Sequence, residues 1–130
     1  MEVDQQNDAR RLPASKRERV NMLNVHYLVA FLVAALAVFA VWQQSGRRIT
    51  LYAVTLQILL GIVLIVQGVQ APWYHYALAV LAWIGYMAAN GMARRSVAAR
   101  NVLLVSGVST ILVLIAFYVG MHAVKAGYTG

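Results

Sequence analysis

The stretch ITLYAVTLQILLGIVLIVQGV, residues 49–69, decides the fold of this chain. It contains no charged side chain from end to end, and it has the length of about 20 residues that a helix needs to cross the hydrocarbon core of a bilayer. Water is absent from that core, so the backbone N–H and C=O groups must bond to each other within the segment. The stretch therefore predicts a transmembrane helix.

Three further apolar segments lie before and after this stretch, and the links that join them are short. Short links make consecutive helices antiparallel neighbours. We therefore predict an all-α protein, a transmembrane four-helix bundle with up-down-up-down topology. A polar basic N-terminal tail, the four-helix domain and a C-terminal tail would occupy residues 1–23, 24–124 and 125–130, with helices at about 25–41, 49–69, 72–92 and 102–123.

The composition excludes several classes of function. Hydrophobic residues make up 62% of the chain and charged residues 12%, and no acid follows Glu18. The apolar body therefore lacks the carboxylates that paired-acid hydrolysis, Ca²⁺ or Mg²⁺ sites and membrane proton relays require. Without cysteine the chain can form no disulfide, iron–sulfur site or covalently attached c-type haem. The basic residues sit in links between apolar runs, which predicts contact with the lipid bilayer and not with nucleic acid.

The charges do not fix the orientation of the bundle. Six Lys and Arg residues lie on the face of the two termini and five on the opposite face. The positive-inside rule therefore scarcely discriminates between the two orientations of the bundle. The basic residues before the first helix favour a cytoplasmic N-terminus.

Alternation of the helices places all three histidines, His26, His75 and His122, at one face of the membrane. Helices one and three run parallel, so His26 and His75 begin at similar depth and can face each other across the bundle. Two opposed imidazoles are the axial ligands that a haem b or another tetrapyrrole uses. Interfacial histidines also bind water or lipid headgroups, and we prefer this interpretation for His122.

Small side chains lie below two of these histidines at helical spacing. Ala30 and Ala34 follow His26, and Ala79 and Ala82 follow His75, so a flat macrocycle would find a slot between the two helices. The competing interpretation is close helix packing, for which membrane helices use the same small residues. Gln57 has two interpretations as well: it bonds a neighbouring helix, or it bonds a haem propionate or quinone oxygen. We expect the hydroxyls of Ser106, Ser109 and Thr110 to bond to carbonyls of their own helix.

The segment TLQILLG, residues 55–61, followed after a turn by a helix that opens with His75, resembles the LQxxLG helix and histidine-bearing helix of one half of haem A synthase. His26 is similar to the histidine that opens the preceding helix in that family, and the resemblance covers residues 22–92. It implies a four-helix haem-binding unit with His26 and His75 as axial metal ligands, Ala30, Ala34, Ala79, Ala82 and Gln57 around the cofactor, and the histidines at the outer face of a bacterial cytoplasmic membrane. That orientation conflicts with the one favoured by the basic residues before the first helix.

Two positions depart from the family pattern. The family has a carboxylate one turn before its first histidine, where this chain has Leu23, and an arginine after that histidine, where this chain has Tyr27. We therefore expect a haem-holding subunit and not a complete synthase.

The sequence thus predicts a small b-type, bis-histidine haem subunit of a respiratory or photosynthetic electron-transfer complex, with other subunits of that complex as partners. The alternative is a cofactor-free accessory subunit of a larger membrane complex. A proton-coupled transporter of this size would need a membrane carboxylate, and the spans have none.

Overall fold

The computed structural model describes residues 13–125, and they form four long helices: α1 (Ala14–Trp42), α2 (Gln44–Val66), α3 (Trp73–Arg94) and α4 (Ala99–Lys125). All four are long and apolar enough to cross a membrane. The shortest has 22 residues and is about 33 Å long at 1.5 Å per residue, which matches a hydrocarbon core of about 30 Å. The predicted all-α fold with four spans is confirmed, and the chain is an integral membrane protein.

The first helix begins earlier than the apolar pattern indicated. α1 starts at Ala14, about eleven residues before the predicted start, so the basic residues at 16–19 are helical and continuous with the span. The carbonyl of Pro13 closes its first turn by accepting the N–H groups of Lys16 and Arg17, both at 3.0 Å. The rest of the predicted N-terminal tail, residues 1–12, and the C-terminal residues 126–130 lie outside the described part of the chain.

The four helices form a closed ring. Each helix packs against the next along the chain, and α1 also packs against α4. α1 and α3 are therefore diagonal partners across the bundle, as are α2 and α4. This arrangement puts the two helices that carry His26 and His75 on opposite sides of the bundle axis.

Two helices end in the same hydrogen-bonded turn with different residues at its left-handed position. Gly68, with φ 84°, follows α2, and the amide after it bonds back to the carbonyl of Leu64 at 2.9 Å. Ser96, with φ 55°, follows α3, and the amide after it bonds back to the carbonyl of Met92 at 3.1 Å. Glycine adopts this backbone conformation at little cost, whereas a residue with a Cβ, such as Ser96, adopts it only with strain.

The distribution of side chains is that of a membrane protein, apolar outside and small or hydroxylated inside. Val66 is 81% exposed and Leu28 73%, whereas Thr50 and Ser106 are fully buried. Outward-facing side chains of this kind contact lipid, and buried hydroxyls must find partners within the protein. Thr50 does so by donating to the carbonyl of Gly46 at 2.8 Å.

The hydroxyls of α4 bond as the sequence predicted. Ser106 donates to the carbonyl of Leu103 at 3.1 Å, Ser109 to that of Val105 at 2.8 Å, and Thr110 lies 3.0 Å from that of Ser106. These groups are satisfied within their own helix, so they require no ligand.

Thr110 also connects three helices at the middle of the bundle. Its Oγ1 atom lies 2.7 Å from the hydroxyl of the fully buried Tyr86 and 3.1 Å from the carbonyl of Ala37. A buried phenol needs such a partner, and here the bond ties α3 to α4 and α1. Around it lies the core cluster of Val33, Ala37, Val54, Ala82, Tyr86 and Val113.

Candidate cofactor site

A cavity of about 310 Å³ opens inside the bundle on the histidine side of this core. His26 from α1 and His75 from α3 both line it, together with residues from α2, α4 and the link between α2 and α3. Its volume lies at the lower end of the range of about 300–1,000 Å³ typical of small-molecule sites. The tertiary structure therefore brings the two histidines to one cavity from diagonally opposite helices. We refer to it as the histidine cavity.

The ring of His75 is held by the backbone of α4. Its Nδ1 atom lies 2.9 Å from the carbonyl oxygen of Ala116. A carbonyl only accepts hydrogen bonds, so Nδ1 carries the hydrogen and Nε2 keeps its lone pair. Within residues 13–125 no hydrogen bond occupies that Nε2 atom.

Gly120 makes room for the His75 ring. A Cβ atom built at Gly120 would come within 2.9 Å of Cε1 and 3.4 Å of Nδ1 of the imidazole. Any larger residue would push the ring away from its place beside α4. The absence of a side chain at Gly120 thus fixes how closely His75 approaches the helix that orients it.

His26 is held by a side chain instead. The amide nitrogen of Gln57 lies 3.0 Å from Nε2 of His26 and 3.2 Å from its carbonyl oxygen. The opposite amide orientation would set two carbonyl oxygens against each other, so the nitrogen belongs where it stands. The lone pair of Nε2 is therefore engaged by Gln57, and Nδ1 carries the hydrogen.

The predicted slot of small residues is divided between the cavity and the core. Ala30 and Ala79 line the histidine cavity. Ala82 is fully buried in the core cluster, and Ala34 is partly buried, and neither of them lines the cavity. The cavity reaches three residues of the core cluster, Val33, Val54 and Val113, and these form its floor.

Both positions that depart from the haem A synthase pattern line the cavity. Leu23 contributes an apolar side chain, and Tyr27 a hydroxyl that is buried without a partner among the described residues. Nδ1 of His26 and Oε1 of Gln57 are likewise buried and unpartnered within residues 13–125. Buried polar atoms without partners are rare in folded proteins, and a bound molecule can satisfy them.

His122 stands apart from this site. It is exposed, its Nδ1 atom lies 3.0 Å from the carbonyl of Tyr118 one turn earlier, and its ring packs on the Tyr118 ring with centroids 4.0 Å apart. It does not line the histidine cavity. This placement fits the expected surface role and supplies a matched control for the other two histidines.

Two determinants of the site escaped the sequence analysis. The carbonyl of Ala116 carries no side-chain signal, and Gly120 looks like any glycine that permits helix packing. Both lie more than 40 residues from His75 along the chain, since the bond to Ala116 spans 41 positions. No spacing rule within one helix could have paired them.

Comparison with known proteins assigns no family to this arrangement. No protein-family model, no curated protein and no solved structure matches the chain. The chemistry of the histidine cavity is therefore argued from its own residues.

Proposed function

We propose that the histidine cavity holds a haem b or a related tetrapyrrole, and that the protein is a cofactor-bearing subunit of a respiratory or photosynthetic electron-transfer complex. The observation that carries this proposal is His75, whose Nδ1 is fixed by the Ala116 carbonyl while Nε2 keeps an unengaged lone pair. Metal-ligating histidines are typically oriented in this way, by a hydrogen bond from the other ring nitrogen. When bound, a haem supplies a one-electron couple whose potential depends on its axial ligands and surroundings.

Several of the lining residues have a role in this proposal. His75 would hold the metal through Nε2, and the Ala116 carbonyl would raise the basicity of that nitrogen by accepting the hydrogen of the other. Ala30 and Ala79 keep the walls of the cavity clear of bulky side chains. The surrounding apolar side chains exclude water, which lowers the local dielectric around a bound cofactor.

His26 would be the second ligand, and Gln57 would control its availability. Ligation through Nε2 requires the amide of Gln57 to release that atom, since the two lie 3.0 Å apart. The released amide can then donate to a propionate or another acceptor on the cofactor, and its Oε1 atom has no partner among the described residues to lose. His75 would therefore offer a free nitrogen from the start, whereas His26 would offer one only after Gln57 releases it.

The site favours holding a cofactor over modifying one. Leu23 and Tyr27 occupy the positions where haem A synthase has a carboxylate and an arginine, and both line the cavity. Neither residue supplies a fixed charge beside the cofactor. The proposal is accordingly a binding subunit and not a complete enzyme.

An absorption spectrum tests the proposal. The protein is produced in haem-replete cells, purified in a mild detergent and reduced with dithionite. We expect a haem band in the parent chain and in His122→Ala, which removes the histidine outside the cavity. His75→Ala should lose that band.

Two outcomes would overturn the proposal: a colourless parent protein from haem-replete cells, or equal loss of pigment in His75→Ala and His122→Ala. A colourless protein that co-purifies in fixed proportion with other membrane subunits, whether or not its histidines are present, would establish the cofactor-free accessory subunit instead.

A further inference from the structure

The end of the bundle opposite the histidine cavity is basic, and one of its arginines is unlike the others. Four of them are exposed, as expected for charges that anchor helix ends in water: Arg48, Arg94, Arg95 and Arg100. Arg47 is only 8% exposed, and its Nε atom is buried with no hydrogen-bond partner among the described residues. The unpartnered Nε–H of this largely buried guanidinium favours a nearby counter-charge, because a buried polar group without a hydrogen-bond partner is unfavourable.

The described chain cannot provide that counter-charge. No acid follows Glu18 in the sequence, and Glu18 is the one acid within residues 13–125. It lies in the second turn of α1, whose other end at Trp42 reaches the basic end of the bundle. At 1.5 Å per residue these two positions are about 36 Å apart along the helix. Within residues 13–125, therefore, no acid can pair with Arg47.

The surroundings of Arg47 favour a phosphate group in that role. Arg47 lies in the first turn of α2, which begins without a side-chain cap, so the positive end of the helix dipole is open there. The amide of Asn90 lies 3.4 Å from the Arg47 carbonyl, which sets the last turn of α3, with Arg94, beside it. The planar fork of a guanidinium matches two phosphate oxygens at once.

We propose that Arg47 and the first turn of α2 form a binding site for a phosphate group at this face of the membrane. The site lies at a helix end, which is the depth of lipid headgroups, so an anionic phospholipid can deliver its phosphate there. A soluble phosphate is the other source of the same chemistry. The proposal is independent of the histidine cavity, which lies at the opposite end of the bundle.

Native mass spectrometry of the detergent-purified protein tests the site. The parent chain is titrated with phosphatidylglycerol, and in a separate arm with inorganic phosphate against chloride at equal ionic strength. We expect retained phosphatidylglycerol in the parent chain and an affinity at least about tenfold lower in Arg47→Gln, as loss of a charge-assisted hydrogen bond predicts. Arg48→Gln, which removes the exposed neighbouring charge, should change the affinity less than about threefold.

Further arms identify the source and guard against misfolding. Displacement of the lipid by inorganic phosphate but not by chloride, lost in Arg47→Gln, would support phosphate recognition and identify the source as soluble. Indifference to phosphate would identify the lipid as the source. Arg47→Lys keeps the positive charge but lacks the planar guanidinium, so it should also weaken binding. It provides the test if Arg47→Gln fails to fold. Equal losses in the Arg47 and Arg48 variants, or unaltered binding in Arg47→Lys and Arg47→Gln, would overturn the proposal.

Discussion

The α1–α2 hairpin and the α3–α4 hairpin each hold a histidine ring in place, but they do so with different groups. Each carries a histidine on its first helix, at the thirteenth residue of α1 and at the third residue of α3, and turns the imidazole toward a glycine of its second helix. His26 lies beside Gly61, and His75 lies beside Gly120. In the first hairpin the ring is held by the side chain of Gln57, and in the second by the backbone carbonyl of Ala116.

Under the proposal of a haem site, this difference sets which histidine has a free ring nitrogen for the metal. A backbone carbonyl within a helix has a fixed position, so His75 keeps one tautomer and one orientation. A glutamine side chain has several rotamers and can withdraw, so the hold on His26 is reversible. Two similar histidines in a sequence thus become unequal through the atoms that face them.

The largest expected effect comes from removing each histidine in turn. His75→Ala should lower haem content more than tenfold, because it deletes the preset ligand together with its hydrogen bond to α4. His26→Ala should retain haem but lose the six-coordinate fraction from its spectrum and leave five-coordinate haem alone. A pyridine haemochrome assay measures the haem content, and the visible spectrum reports the coordination number. Greater loss of haem in His26→Ala would reverse the proposed order of the two ligands.

The paired glycines separate ring placement from ligand identity. In Gly120→Ala the new Cβ would meet His75 at 2.9 Å, so the ring must shift, and we expect about tenfold less haem. In Gly61→Ala the nearest atom of His26 is 3.6 Å away, which is an ordinary contact, so haem content should stay within about threefold. Both are measured by haem content per protein. Equal effects would show that the approach at Gly120 is not special to the site.

Release of His26 is tested by Gln57→Leu, which keeps a similar volume and removes the amide. Loss of one hydrogen bond, about 0.5–1.5 kcal/mol, should raise the six-coordinate fraction of bound haem several-fold. In the haem-free protein, ¹⁵N NMR of the imidazoles should show the His26 tautomer change while that of His75 remains. If the His26 tautomer is the same in Gln57→Leu as in the parent protein, the Gln57 contact does not determine that tautomer.

The smallest expected effect concerns the helix ends of the two hairpins. Ser96→Gly should raise the free energy of unfolding by about 1 kcal/mol, because a residue with a Cβ is strained at φ 55°. Gly68→Ala, at φ 84°, should lower it by a similar amount. Reversible unfolding in detergent measures both. If Ser96→Gly is neutral, the strain at the end of α3 is relieved by other contacts.

The sequence determined the number of helices, their membrane location and their antiparallel order. Each of these follows from local properties: the length and hydrophobicity of a segment and the shortness of a link. It also brought His26 and His75 to one face, because alternation alone fixes that. The start of α1 could not be predicted from the apolar pattern, since the polar residues after Pro13 extend the helix beyond it.

Only the tertiary structure decided how each candidate residue is used. It divided the alanine slot, so that Ala30 and Ala79 line the cavity while Ala82 packs in the core. It buried Arg47 and left Arg48 exposed, although the two are adjacent in sequence. The physical reason is that hydrophobicity acts segment by segment, whereas a tautomer, a cavity wall or an unpaired charge depends on atoms that another helix brings within about 3–4 Å.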